Sequence, residues 1–164
     1  MRPTKDEYFI AMAHLVATRS TCLRRSVGCV LVDANGHVLA TGYNGVAAGQ
    51  PHCNHEEAYT TPTMRGTELR VWHPHVCKGA THSSGTGLEH CEAIHAEQNA
   101  LLQCHDVQKI HTCYVTHSPC ITCAKLLMNT SCLRVVYSEP YTHVEALVYL
   151  KNAGKELVQV KGPL

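Results

Sequence analysis

Two short runs in this chain set chemically capable residues at defined spacing: His95-Ala96-Glu97, at the start of a helical pattern, and Ser118-Pro119-Cys120-Ile121-Thr122-Cys123, directly after a β-rich run. Taken alone, a His and a Glu two apart are more often a solvated pair than a site. Two cysteines three apart can equally be a redox pair or two buried core thiols. Together the runs say more. Cysteines three apart at a helix start share a face at the positive end of the helix dipole, where thiolates are stabilised. If the two runs occupy successive strand-to-helix units, their helix N-termini converge at one end of a sheet. His95, Cys120 and Cys123 then form a three-ligand zinc site with a fourth position open to water, the catalytic pattern and not the closed structural one. Glu97 is the carboxylate left beside that water, placed to take its proton and hand it to a leaving nitrogen.

Tyr8, Met12, Leu15 and Val16 recur at helical spacing, which predicts an amphipathic helix from about residue 6 to 19 with that stripe buried. Val27 to Val32 and His37 to Gly42, joined by Asp33-Ala34-Asn35-Gly36, read as a hairpin. From Val46 to His90 the composition turns to Gly, Thr, Pro, His and Glu without periodicity, a long structureless insertion that needs an organiser other than a hydrophobic core, such as a bound metal. Regular signal returns as a helix from Ala93 to Cys104, a strand from Thr112 to Thr116, a helix from Cys120 to Leu127 and a strand from Arg134 to Tyr137. A helix through Val144 and Val148 to a Gly154 stop and a strand from Glu156 to Val160 complete the chain. The expected fold class is α/β: a three-layer α/β/α sandwich around a mixed five-stranded sheet, as one domain over residues 1–164 with an insertion at about 46–90.

Composition narrows the function classes. A chain of 164 residues, 45% apolar and 16% charged, supports one core, and a formal charge of +1 gives no basic field for long nucleic acids. One Trp and one Phe leave little to stack single-stranded bases. No stretch approaches the ~18 apolar residues of a membrane span, and the opening residues lack a signal-peptide pattern; the expectation is a cytoplasmic protein with reduced thiols and neither membrane nor nucleic-acid partner. Ten cysteines and thirteen histidines then point to zinc.

His-Ala-Glu followed by Pro-Cys-x-x-Cys is the signature of zinc deaminases. Val27-Gly28-Cys29-Val30, Thr41-Gly42-Tyr43-Asn44-Gly45, His95-Ala96-Glu97-Gln98-Asn99-Ala100 and Tyr114-Val115-Thr116 with Ser118-Pro119-Cys120 resemble, in order, the successive blocks of the deoxycytidylate (dCMP) deaminases of the cytidine deaminase superfamily. That resemblance covers most of the chain outside residues 46 to 90. It implies conversion of dCMP to dUMP, with Glu97 shuttling the proton and bonding ring N3, and Asn44 bonding the sugar. Ala96, Thr116 and Ser118 would line the pocket, and Arg24, Arg25 and Ser26 are candidates for the 5′-phosphate, although an Arg pair before a strand is usually a solvated charge run.

The resemblance also implies a homohexamer regulated by dCTP and dTTP, with Mg2+ accompanying the nucleotide effector and Gly42, Tyr43, Asn44 and Gly45 in the effector region. Some relatives carry a second, structural zinc. Cys22 and Cys53 match its first two ligand positions, and His90 and Cys91 resemble the rest one residue out of register, with His75, Cys77 and His82 in contention. Cys29, Cys104, Cys113 and Cys132 read as ordinary core thiols. The competing readings are a deaminase of free cytidine, a nucleic-acid base or a pterin-like ring; a module whose zinc is purely structural, with no use for Glu97; and a redox pair at Cys120 and Cys123.

Overall fold

The computed structural model describes residues 2–53, 58–62, 68–72, 76–83, 86–142 and 144–162; His75 lies outside them. Helix α1 (Lys5–Ala17) leads into strands β1 (Gly28–Val32) and β2 (Val38–Tyr43), then a short hairpin β3 (Ala58–Pro62) and β4 (Glu68–Trp72). Helix α2 (Ala96–Gln103), β5 (Thr112–His117), α3 (Ile121–Met128), β6 (Arg134–Glu139), α4 (Glu145–Asn152) and β7 (Glu156–Gln159) follow. The main sheet runs β2-β1-β5-β6-β7. Its β2/β1 and β1/β5 pairs are antiparallel, whereas β5/β6 and β6/β7 are parallel. The expected mixed five-stranded sheet is present, with α1 packed on one face through Val30, Val32, Tyr114 and Val136 and α2, α3 and α4 on the other through Cys29, Leu31, Cys113, Val115 and Val135.

Helix α1 corrects the expected stripe. Its buried residues are Phe9, Ile10, Ala13 and Ala17, while Tyr8 and Leu15 are 51% and 69% exposed and Met12 and Val16 sit at the margin. The reason is steric. A side chain at Gly28 of β1 would place its Cβ 2.0 Å from the Ala13 carbonyl oxygen, so the helix approaches β1 with its smallest residues inward. The larger Leu15, which periodicity alone favours, would hold it off.

The insertion is also not the structureless stretch that its composition suggests. It holds the antiparallel β3/β4 pair and two single 3-10 turns at Lys78–Thr81 and Leu88–His90. Among the described residues no helix is long and apolar enough to cross a membrane.

A polar clamp ties α1 to the sheet. Arg134 on β6 donates two bonds to the Asp6 carboxylate at 2.6 and 2.8 Å, and the Tyr114 hydroxyl of β5 donates a third at 2.9 Å. Arg134 Nε also donates to Glu156 of β7 at 3.0 Å. The Arg134 guanidinium beside Asp6 holds its carboxyl below the usual carboxylate value. A depressed carboxyl pKa stabilises the fold above the unfolded value, and that stabilisation is lost as the pH falls through the folded one. Asp6→Asn is therefore expected to cost about 1–3 kcal/mol at pH 7. In urea unfolding, the gap between variant and wild type should close as the pH falls below about 4.

Candidate active site

Both chemical runs fall at helix N-termini. His95 is the N-cap of α2 and Glu97 lies in its first turn; Cys120 is the N-cap of α3 and Cys123 lies in its first turn, on the connection leaving β5. Two packing facts bring these turns together. Gly42 on β2 has no side chain, and a Cβ there would meet the Ala96 carbonyl oxygen and the Ala100 nitrogen at 2.3 Å, so the start of α2 rests directly on β2. The strand beyond Gly42 is then tied to the same segment, by Asn99 donating to the Tyr43 carbonyl at 2.8 Å and by mutual backbone bonds between Gly45 and Ile94. Gln98 accepts from the His95 backbone N–H at 2.9 Å, which caps the start of the helix.

The imidazole faces the thiols. His95 Nδ1 lies 3.4 Å from Cys120 Sγ and 3.5 Å from Cys123 Sγ, and the three donor atoms all lie within 4.8 Å of one another. A tetrahedral zinc with bonds of about 2.3 Å to sulfur and 2.05 Å to nitrogen has N···S edges of about 3.6 Å, so the set fits zinc in chemistry and in spacing. The thiol of Cys123 hydrogen bonding to it, followed by the His95 ring, pulls the Cys120 thiol down to about 4, which supplies a ready thiolate at a helix N-terminus. His95 is in turn raised, first by that bond to Cys120. Glu97 is 4% exposed, and desolvation raises its carboxyl above the usual value, as suits a group that must both take and give a proton.

Around these groups runs a cavity lined by His95, Glu97 and Cys120 together with Asn44, Arg24, Arg25, His117 and Tyr141. The paired arginines part company. Both line the cavity, but Arg24 Nη2 is tied to the insertion, donating to the carbonyls of Ser83 at 2.5 Å and Thr86 at 3.1 Å. Arg25 lies over the Tyr141 ring, 5.6 Å from its centroid, with a buried Nη1 that bonds to nothing among the described residues. Ser26 is exposed and lies outside the cavity wall.

Asn44 is largely committed to the fold. Its Oδ1 accepts from the Val27 N–H at 2.8 Å and the Ser20 hydroxyl at 2.6 Å, and its Nδ2 donates to the Arg25 carbonyl at 2.8 Å. Asn44 thus fixes the backbone that carries Arg25. Ala96 and Ser118 line the cavity, and Ser118 Oγ accepts from the Tyr141 N–H at 2.7 Å, holding that residue over the site. Thr116 is buried behind the wall. Sequence reasoning missed His117 and Tyr141; nothing in Glu139-Pro140-Tyr141 marks a site, whereas His117 had a signal in its position at a strand end three residues before Cys120.

The other thiols sort by environment. Cys29, Cys113 and Cys132 are core residues. Cys53 and Cys77 hydrogen bond to each other, Cys22 lies close enough to act on the charge of both Cys53 and Cys91, and Cys91 is near Cys77. The Cys77 sulfur accepts backbone N–H bonds from Gly79, Ala80 and Glu92, and these together with the Cys53 thiol outweigh burial and lower its pKa. His90 stands apart from this group, paired with Glu89 at 3.7 Å and stacked on His82. Of the residues in contention, Cys53 bonds to Cys77 with Cys22 and Cys91 in the neighbourhood, but among the described residues only His95, Cys120 and Cys123 bring three such donors within 4.8 Å of one another.

Two outcomes are expected. Cys120→Ser should lose one zinc per chain, measured by atomic absorption on purified protein. Gly42→Ala, which drives a Cβ into α2 backbone, should destabilise the fold by about 3 kcal/mol in denaturant titration.

Comparison with known proteins agrees with this geometry. Residues 3–139 match the family model described as the cytidine and deoxycytidylate deaminase zinc-binding region. Deoxycytidylate deaminase of Schizosaccharomyces pombe is 38% identical over 99% of this chain, which covers 46% of that relative. The enzyme of the same name from Mycobacterium phage D29 is 39% identical, covering 83% of this chain and 95% of its own. The crystal structure of dCMP deaminase from cyanophage S-TIM5 in complex with dCMP and dUMP matches with a TM-score of 0.68 at 25% identity, over 98% of this chain and 99% of that one. The chain spans less than half the length of the two yeast relatives it matches. With its zinc-binding region running from residue 3 to residue 139, the chain belongs to the cytidine and deoxycytidylate deaminase family.

Proposed function

We propose that the chain is a zinc-dependent hydrolase that converts dCMP and water to dUMP and ammonia. The observation that carries this reading is the meeting, at one cavity, of the His95, Cys120 and Cys123 donor set, the buried Glu97 carboxylate and an Arg25 guanidinium whose buried Nη1 has no hydrogen-bond partner among the described residues. Zinc, when bound, supplies the Lewis acidity that makes water a nucleophile near neutral pH. Glu97 accepts the proton released as water adds to C4 of the cytosine ring and delivers it to N3, where it stays; it then takes the proton of the new C4 hydroxyl and gives it to the departing amine, so that C4=O forms as ammonia leaves. The buried, low-dielectric setting that raises the Glu97 carboxyl keeps that proton available for return.

Arg25 is the phosphate donor in this reading, and Arg24 and Ser26 are not. The free hydrogen of Asn44 Nδ2, beyond the one given to Arg25, is left for a sugar hydroxyl. Family resemblance extends the reading to a cytoplasmic hexamer regulated by dCTP and dTTP with Mg2+. A second cavity of about 240 Å3 lined by Tyr43, Gly45, His52, Asn99 and Gln103 is the place for an effector beside the Gly42 to Gly45 segment.

Purified protein should release ammonia from dCMP far faster than from deoxycytidine or cytidine; nucleoside turnover at the same rate would remove the nucleotide assignment. Arg25→Ala should raise KM for dCMP about tenfold or more, as expected for loss of a charged hydrogen bond. Arg24→Ala should leave KM within about threefold, since its bonds go to the insertion.

A second zinc held by Cys22, Cys53, Cys77 and Cys91 is favoured by one feature: backbone N–H groups two and three residues beyond Cys77, and two beyond Cys91, point at the sulfurs, an arrangement that stabilises thiolates. Two zinc ions per chain, falling to one in Cys77→Ser, is the expected result; one in both would rule the second site out.

A further inference from the structure

His117 ends β5 and lines the catalytic cavity beside Arg25, yet it belongs to none of the groups that bind zinc or move the proton. Its Nδ1 lies 3.2 Å from Thr116 Oγ1, and that hydroxyl oxygen already accepts the Gly28 N–H at 3.2 Å. Thr116 is 1% exposed, and no other partner of its hydroxyl is present among the described residues. Were the imidazole to donate from Nδ1, the hydroxyl proton would be left buried without an acceptor, which costs about 1–3 kcal/mol. The hydroxyl therefore donates to Nδ1, and a neutral ring must carry its proton on Nε2. Burial, with the charges of Arg25 and His14, presses His117 towards that neutral form, down to about 4. A chain of two hydrogen bonds that starts at the β1 backbone thus holds a single N–H donor, in one tautomer, in the wall of the cavity.

We propose that His117 is a specificity-determining residue which donates from Nε2–H to an oxygen of the nucleotide's 5′-phosphate, alongside the Arg25 guanidinium, and so favours nucleotide over nucleoside. The inference rests on the reading of the substrate as a nucleoside monophosphate. Arg25 supplies the charge; His117 supplies direction without adding a second cation next to the zinc-binding thiolates. A phosphate monoester offers several acceptor oxygens to the pair, whereas a nucleoside presents only a neutral hydroxyl at that place.

The test compares dCMP with deoxycytidine on the zinc-loaded enzyme and on His117→Leu and His117→Gln. His117→Leu should lower kcat/KM for dCMP about 10- to 100-fold more than for deoxycytidine, mostly through KM, because a charge-assisted hydrogen bond is lost only with the nucleotide. His117→Gln, whose amide N–H can stand in for Nε2–H, should recover most of the difference. An equal loss with both substrates, or no loss with either, would overturn the proposal while leaving the nucleotide reading intact. A wild-type enzyme that does not distinguish dCMP from deoxycytidine would overturn both. Independently of activity, long-range proton–nitrogen NMR of histidine-labelled enzyme should find His117 protonated at Nε2; protonation at Nδ1 would overturn the proposal even if the variants failed to fold.

Discussion

Helix α2 can begin where it does because β2 carries no side chain at Gly42. The first turn of the helix lies on bare strand backbone, with the Ala96 oxygen and Ala100 nitrogen occupying the space a Cβ would fill. That contact sets the height of His95 and Glu97 above the sheet. The thiol side of the site is set separately, by β5 leading through Ser118 and Pro119 into α3. The two sides meet only because β1 and β5 are paired neighbours in one sheet, with Cys29 opposite Val115. A catalytic metal site needs its donors within a few tenths of an ångström, and rigid helix N-termini seated on strands hold that precision better than loops do.

Electrostatics follow from the same placement. With His95 and Cys120 as helix N-caps, the metal-binding edge of the cavity sits at the positive ends of two helices, which favours thiolate at Cys120. Glu97, two residues into α2, is thereby drawn into the same buried space, where the protein has few ways to solvate its charge. One arrangement thus lowers a thiol pKa and raises a carboxyl pKa a few ångströms apart. Ligand and proton carrier need these opposite shifts.

Much of this was legible in the sequence, and the parts that were not have physical causes. The metal donors were readable because their spacing is local to two helix starts, and the strand-helix alternation after residue 93 followed from strong periodicity. The inward face of α1 was misread because hydrophobicity favours Leu15, whereas the close contact with Gly28 requires Ala13 and Ala17. The insertion looked unstructured because its pairing is short and its one thiol–thiol bond, Cys53 with Cys77, spans a long sequence separation. Arg24 and Arg25 are indistinguishable as letters; both reach the cavity, and only the fold ties one to carbonyls of the insertion and lays the other over the Tyr141 ring.

If Glu97 moves the proton in a site whose metal is held by other residues, Glu97→Gln separates those roles. The variant should fold and keep its zinc, with dCMP turnover reduced about a hundredfold or more, the scale of a lost general acid–base group. Turnover near the wild-type rate, with zinc in place, would contradict it.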